Sequence, residues 1–527
     1  MTGSLPSGRS PRPAPAHHGQ HDGDVTGGIS AVHSAVSRYA QATWDSVAAG
    51  PARPSRPDSW VRSQLPDAIG EQPELLEDVA DRIERIWAGA GENWLHPARM
   101  AYVPATTSIA AVVGGVLAAT RNSHVWPSNT AAVEWERATT DQLAAALGLA
   151  PSLTWAGGGA GVVLDSATAG VQQALLGALI RARGLDWRRH GVRGDERVYI
   201  TSHTHGSVVR VALAAGPGDR GIRVVAHDPT TGAMCPTALS TALAGDIADG
   251  LCPVMVVATV GTTAAGAVDD LVAIGSICAT RGLWLHADAA WLGSFALLPE
   301  HRNLLAGSGL ASSVVISPQK LLRTGLGCSV LWTRWPKSIG AALAVDQPYL
   351  AAGVDGSGVD PRALQLPTGR PDRALVLDMT LRCLGLAEIR RLLRQNVTLV
   401  QQIEAWASGV PLIELRLGRG LGLACLRARS GDEATQALLD SVHAGGRVLL
   451  SPAEVDGRLW IRVAPAGTSD SAHTHLVISE LTRALTVLRS PTQPNRPPRG
   501  TDRVLDLAAA RRRAATSNPT STDREPA

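Results

Sequence analysis

Six short apolar runs, separated by helical stretches, fill the middle of the chain, and this alternation limits the fold more than any other feature. RVYIT (197–201), IRVVAHD (222–228), CPVMVVATV (252–260), GLWLHAD (282–288), SSVVIS (312–317) and CSVLWT (328–333) are candidate strands. Several are apolar throughout, as expected of strands covered on both faces in a mainly parallel sheet. Between 166 and 183, Val171, Ala174, Leu175, Ala178, Leu179 and Ala182 recur at helical spacing, and Arg181 and Arg183 suit that helix's C-terminal end. After about residue 375 the rhythm changes. A helical stretch over 386–408 precedes strand-like PLIELRLG and GLGLACLRA, a helix over 431–443, then GRLWIRVAP and a closing helix over 471–488. The expected fold is α/β, a large domain with a mainly parallel sheet and a smaller α+β C-terminal domain.

Composition narrows the class. Hydrophobic residues make up 45% and charged residues 18%, which suits a globular chain. The net charge of +3 is too small to argue for nucleic acid or an anionic membrane as partner. Cys235, Cys252, Cys278, Cys328, Cys383 and Cys425 form no CxxC pair and have no clustered histidines, so neither a metal site nor a disulfide framework is expected. Reduced thiols and the lack of a signal-peptide pattern point to a cytoplasmic protein. The most apolar run, TSIAAVVGGVLAAT (107–120), is shorter than the ~20 residues that span a bilayer and reads as a buried helix. Residues 1–55 and 490–527 are rich in Pro, Ser and other polar residues and read as disordered tails; His17, His18 and His21 lie in the first.

Four features sit where strands end or helices begin, the places at which open α/β sheets bind ligands. AGGGAGVVLDSATAG (156–170) is a glycine-rich turn running into a helix. N–H groups around Ser166, Ala167 and Thr168 suit a phosphate, although ordinary N-capping accounts for the same residues. In LWLHADAAW (283–291) Asp288 ends an apolar strand, where a carboxylate needs a partner: a cationic ring nitrogen on a ligand, or the start of the next helix. TSHTHGSVVRVA (201–212) offers two histidines that can stack on a planar ligand or serve as plain loop residues. The fourth is SPQKLLRTG (317–325), with Lys320, one of only two lysines in the chain; the other, Lys337, lies in a Trp-Pro turn. A lysine amine can lose its proton and attack a carbonyl, which a guanidinium cannot usefully do. Phosphate cradle, stacking histidine, ring-nitrogen carboxylate and Schiff-base lysine together suit pyridoxal 5′-phosphate (PLP).

At these residues the chain resembles the group II PLP-dependent amino-acid decarboxylases, the aromatic-L-amino-acid and glutamate decarboxylase group, which have the aspartate-aminotransferase fold. The resemblance runs from about Trp60 to about Leu488 and is strongest over LWLHADAAWLGSFALLPEHRNLLAGSGLASSVVISPQK. HPARMAYVP (96–104), VWPSNTAAVEWE (125–136), ATVGTTAAGAVDD (258–270) and LQLPTGRPDRAL (364–375) match further blocks in the same order. It implies an N-terminal helical segment (56–140), a PLP-binding large domain (141–374) and a C-terminal small domain (375–489). It implies decarboxylation of a small L-amino-acid substrate through a Schiff base on Lys320, with the carbanion stabilised by a pyridinium paired with Asp288. His205 would stack on the ring, and Ser166, Ala167 and Thr168 would bind phosphate. Thr263, His286, Ala290 and Ser317 would line the cofactor pocket, and Tyr102, Pro104 and His124 the substrate side. Family members are usually homodimers with active sites at the subunit interface.

The departures bear on the reaction. Gln319 stands where the family has histidine immediately before the lysine. Pro361 falls at the position of a proton-donating tyrosine in the mobile loop, here about 350–363, with Tyr349 nearby in a different matched segment. Asp165 stands where a glycine is usual and Ala169 where a glutamate is usual. Loss of a positioned acid, typically worth ~10²–10⁴-fold, changes the carbanion's fate rather than its formation. Decarboxylation-coupled oxidative deamination to an aldehyde, transamination and a homologue without catalysis are therefore kept as alternatives. Arg462, in WIRVAP, reads either as a substrate-carboxylate clamp or as a salt-bridged strand residue.

Overall fold

The computed structural model describes residues 37–45, 47, 50, 52, 56–90, 93–103, 105–345, 359, 361–416 and 420–489. Pro104, Tyr349, most of the 350–363 loop, His17, His18, His21 and the C-terminal tail lie outside them. Within the expected N-terminal tail, residues 37–45 are helical. They dock on the helix Leu76–Ala90, where Arg38 pairs with Glu77 and the Tyr39 hydroxyl donates to the Glu77 carbonyl.

Seven strands form the large sheet: β1 (Ala160–Leu164), β2 (Glu196–Ile200), β3 (Ile222–Val224), β4 (Cys252–Thr259), β5 (Trp284–Asp288), β6 (Ser313–Ile316) and β7 (Ser329–Thr333), in the order β1-β7-β6-β5-β4-β2-β3. Only β7 runs against its neighbours; pairings among β6, β5, β4, β2 and β3 are parallel. All six expected strands are present; RVYIT is shifted by one residue and the other five are shortened by one to four residues. The seventh, β1, was hidden in the glycine-rich run, because five residues between turns read as part of a loop. Its partner β7 holds it from Ala160↔Thr333 to Leu164↔Ser329.

The helix Ala167–Arg183 crosses one face of this sheet. Ser166 caps it by accepting from the Ala169 N–H. Two glycines let it sit close: a Cβ on Gly170 would lie 2.9 Å from Val315 Cγ2, and one on Gly177 would lie 2.8 Å from the Trp284 ring. The helix N-terminus is thereby brought over the carboxyl ends of β5 and β6. A buried ion pair, Glu136 with Arg370, ties the helix Thr130–Leu147 to the TGRPDR segment. The same two side chains grip β1, Glu136 Oε1 accepting from the Val163 N–H at 2.9 Å and Arg370 donating to the Val163 carbonyl at 3.0 Å.

The smaller domain has an antiparallel sheet of β8 (Ile413–Arg416), β9 (Ala424–Ala428), β10 (Ser451–Val455) and β11 (Arg458–Val463), ordered β10-β11-β9-β8. Helices Asp432–Ala444 and Ser471–Arg489 cover it around a core that includes Leu426, Leu438, Ile461 and Leu481. The N-terminal segment also reaches this domain: the Met100 N–H donates to the Leu449 carbonyl, and the Ala464 N–H to the Met100 carbonyl. Gly385, with φ 68°, kinks the long helix Arg373–Ser408 at the point where the expected helix begins.

One expectation is corrected. The helix Ile109–Thr120 is not enclosed: only Ala111 and Gly114 are buried, while Ile109, Val112, Val113, Val116 and Leu117 are exposed. Its glycine face packs on the helix Arg373–Ser408, since a Cβ on Gly114 would lie 2.9 Å from Val376 Cα. An all-apolar sequence reports no preferred face, so contact with one neighbour leaves the other side open.

Candidate active site

Lys320 lies on a single helical turn, Pro318–Leu321, that follows β6 directly. Proline at its first position costs no hydrogen bond, and the Lys320 N–H closes the turn on the Ser317 carbonyl at 3.0 Å. Burial pushes the Lys320 amine below the usual lysine range; Asp288 opposes this, and Arg462 adds to it. A lowered pKa raises the share of neutral amine, the form that attacks carbonyl carbon.

Asp288 ends β5 and is 6% exposed. Its Oδ1 accepts from the Ala290 N–H at 3.2 Å, and among the described residues it has no ion-pair partner. Alternation along β5 puts Trp284, His286 and Asp288 on one face. Ser313, opposite His286 in the register, has its Oγ 2.8 Å from His286 Nδ1 and accepts the Trp284 indole N–H at 2.8 Å. His286 is fully buried, which pushes its pKa down to about 4, and among the described residues its Nε2 has no hydrogen-bond partner.

His205 follows β2. Its Nδ1 accepts from the Ser207 N–H at 3.2 Å and faces the Ser207 hydroxyl at 2.8 Å, an arrangement that puts the proton on Nε2. The ring is exposed to solvent yet walled by protein. Burial pushes its pKa down, Asp288 pulls it up, and Lys320 pushes it down again. His205, Asp288 and Lys320, spread over β2, β5 and β6, thus share one electrostatic neighbourhood.

The remaining expected residues divide. At the start of the helix Ala167–Arg183, the N–H groups of Ala167 and Thr168 precede any intrahelical partner. Ser166 Oγ donates to Asp165 Oδ1 at 2.8 Å, holding that exposed carboxylate by its own backbone. Thr263 is exposed on the turn after β4. Ala290 and Ser317 are joined by a bond from the Ser317 N–H to the Ala290 carbonyl at 2.9 Å. The Ser317 hydroxyl is fully buried against Ser329 Oγ at 2.9 Å, so its contact is with the neighbouring strand. His124 bridges to Pro371 and sits beside Trp126, with ring centroids 5.9 Å apart; no described contact joins it to Lys320.

Two residues gain definition from the tertiary structure. Arg462 on β11 is 3% exposed and donates to Ser451 Oγ at 3.2 Å and to the Tyr102 carbonyl at 3.4 Å. It has no carboxylate partner among the described residues, its Nε is unpaired, and burial pushes its pKa down to about 10. The salt-bridge reading of this arginine is therefore set aside. Tyr102 is half exposed, with φ 58°, and stacks on Trp94 at 5.9 Å. Gln319 turns away from acid chemistry: its Oε1 accepts from the Gly327 N–H at 2.7 Å and the Cys328 N–H at 3.1 Å. A cavity of about 900 Å³ lined by Leu117, His124, Trp135 and Asp372 lies elsewhere and does not include Lys320.

The donor set fits PLP. It offers a buried amine with lowered pKa, a buried carboxylate without a cation, an unpartnered imidazole nitrogen and a helix N-terminus on the same sheet face. Comparison with known proteins agrees. Residues 57–429 match the pyridoxal-dependent decarboxylase conserved domain. Tyrosine decarboxylase 2 of Narcissus pseudonarcissus is 32% identical over 77% of this chain and 83% of its own length. Phenylacetaldehyde synthase of Arabidopsis thaliana is 30% identical over 77% of this chain and 85% of its own length. The crystal structure of Oryza sativa TDC with PLP and tryptamine superposes with a TM-score of 0.83 at 27% identity, covering 88% of this chain and 99% of that one. The chain belongs to the pyridoxal-dependent decarboxylase family and is a PLP-dependent carboxy-lyase.

Proposed function

We propose that this enzyme decarboxylates an L-amino acid with PLP bound at Lys320, and that aromatic amino acids are its first candidates as substrates. The observation that carries the site is the placement of Asp288 at the end of β5, Lys320 on the turn after β6 and His205 on the loop after β2, with the N-terminus of the helix Ala167–Arg183 over the same sheet. The substrate class rests on tyrosine decarboxylase 2 and on the structure holding tryptamine. When bound, PLP supplies an electron sink for the pair left behind as carbon dioxide departs. In this reading Lys320 binds the aldehyde, Asp288 keeps a proton on the ring nitrogen and His205 covers one ring face. Ser166, Ala167 and Thr168 hold the phosphate. Thr263, His286, Ala290 and Ser317 border the cofactor, and Tyr102, Pro104 and His124 border the substrate. Arg462, buried without a carboxylate, is suited to hold the substrate's own.

The finer organisation is part of the same proposal. The exposed apolar face of the helix Ile109–Thr120 supports a homodimer, with His124 contributed toward a partner's site. Six free cysteines support a cytoplasmic protein. No helix among the described residues is long and apolar enough to cross a membrane.

A second reading is aldehyde formation, in which amino acid, dioxygen and water give aldehyde, carbon dioxide, ammonia and hydrogen peroxide. The phenylacetaldehyde synthase relative and the engaged amide of Gln319 favour it, with Pro361 at the tyrosine position.

Borohydride treatment of the purified enzyme tests the site. It should abolish a visible absorption band and add the reduced cofactor's mass to Lys320, while Lys320→Ala shows neither. Carbon dioxide release from tyrosine, tryptophan, phenylalanine and dopa, with amine and peroxide measured together, then separates the readings. A colourless protein that never takes up PLP, or one releasing no carbon dioxide from any amino acid, overturns the proposal.

A further inference from the structure

A second constellation lies two residues upstream of His205. His203, on the loop after β2, and His227, after β3, bring their rings to a centroid distance of 4.1 Å. Both aim Nε2 at one oxygen, Asp456 Oδ1, at 3.1 Å from His203 and 2.9 Å from His227. Asp456 comes from the small domain, at the Asp456–Gly457 turn between β10 and β11. Its φ of 53° and the 73° of Gly457 are the positive values that a tight Asp-Gly hairpin turn requires. His203 is buried, His227 partly buried, and the Asp456 side chain 35% exposed, so the cluster has a protein side and an open side.

The far sides of the two rings are engaged as well. His203 Nδ1 lies 3.4 Å from the Gly232 carbonyl and His227 Nδ1 lies 3.4 Å from Ser202 Oγ. A neutral imidazole has one N–H, yet His203 stands between two oxygens, and the Gly232 carbonyl can only accept. With the proton on Nδ1, the His203 Nε2 lone pair faces a carboxylate oxygen, an arrangement that calls for a positive charge between them. Ligating histidines commonly donate their other N–H to a carbonyl in this way. Arg416 Nη1 donates to the other Asp456 oxygen, Oδ2, at 3.3 Å, so that Oδ1 is left to the two imidazoles.

We propose that His203 Nε2, His227 Nε2 and Asp456 Oδ1 bind a divalent transition-metal cation of the zinc class, clamping the small-domain hairpin to the loop that carries His205. Two imidazoles and one carboxylate oxygen suit zinc, cobalt or nickel better than magnesium or calcium, which prefer all-oxygen sites. Donors bonded tetrahedrally at ~2.0–2.1 Å lie about 3.3 Å apart, close to the two nitrogen–oxygen distances, and all three donor atoms lie within 4.8 Å of one another. Three protein ligands leave a fourth position on the open side for water. The ligands are spread over 253 residues, which is why no metal-binding spacing is visible in the sequence. The clamp is independent of the decarboxylase reading, because none of the three residues belongs to the Lys320 site.

The test uses the holoenzyme after chelation and dialysis, titrated with zinc sulfate by calorimetry and with cobalt(II) by visible absorption. A His17→Ala, His18→Ala, His21→Ala background removes the tail histidines as competitors. The expected result is one equivalent per chain, weakened about 100-fold or more by His227→Ala and by Asp456→Asn. Circular dichroism confirms that these two surface-side variants remain folded. Zinc should also slow hydrogen exchange in 201–207 and 455–458 of the parent and not of His227→Ala. Failure to bind zinc, or binding that His227→Ala and Asp456→Asn leave unchanged, overturns the site. Binding at the three ligands without altered exchange overturns the clamp.

Discussion

At the scale of single residues, two side chains sort the chemistry. Lys320 is one of two lysines in a chain that otherwise uses arginine for positive charge, and its burial beside Asp288 suits an amine that works as a nucleophile. Arg462 is a cation that burial leaves without an anion among the described residues. If it holds the substrate carboxylate, Arg462→Met should raise KM strongly. Truncating one side of a desolvated charge pair costs about 2–5 kcal/mol, roughly 30-fold to 5 × 10³-fold. Arg462→Lys should recover part of the loss, since it restores charge without the fork of donors. A KM unchanged in Arg462→Met, with the variant folded, would remove this arginine from substrate binding. Gln319 is a contrasting case. From the sequence it marked a lost acid, and in the fold its amide oxygen is the acceptor that secures the turn at Gly327 and Cys328.

At the scale of elements, the site depends on how tightly the helix Ala167–Arg183 and the helix Thr130–Leu147 hold the sheet. Gly170 and Gly177 set the first approach, and the Glu136–Arg370 pair fixes the second against β1. Arg370→Ala would leave Glu136 buried without its counter-charge, a loss of about 3–5 kcal/mol. Urea denaturation monitored by tryptophan fluorescence should show a lower midpoint with unchanged slope, the product of slope and midpoint shift being about that loss. An unaltered midpoint would mean that water replaces the guanidinium. The strands and the helix after β1 were readable because continuous apolar runs and a 3.6-residue period are local signals. β1 and β10 were not, being five-residue strands flanked by glycine or proline, whose strand character comes from the partners β7 and β11.

For the whole molecule, the telling feature is the face of the helix Ile109–Thr120 that is left exposed among the described residues. Val113 and Val116 are 42% and 43% exposed on a helix whose other side is packed to van der Waals limits at Gly114. Light scattering should give the mass of a dimer for the wild type. The double substitution Val113→Glu, Val116→Glu should give a monomer with little decarboxylase activity, because like charges would then face each other across the axis. A monomeric wild type, or a double variant that stays dimeric and active, would send the explanation of this helix elsewhere.

The sequence by itself determined the α/β class and the two-domain rhythm, and it singled out Lys320, Asp288 and His205 as candidate site residues. These depend on local periodicity and on residue types whose chemistry has few substitutes. Only the tertiary structure decided that, among the described residues, Arg462 has no carboxylate partner and the apolar helix keeps an open face, that Gln319 is engaged by a turn, and that His203 and His227 meet Asp456 across the domains. The reason is physical. Pairing, burial and convergence are properties of residues brought together from distant parts of the chain, and no window along the sequence contains both partners.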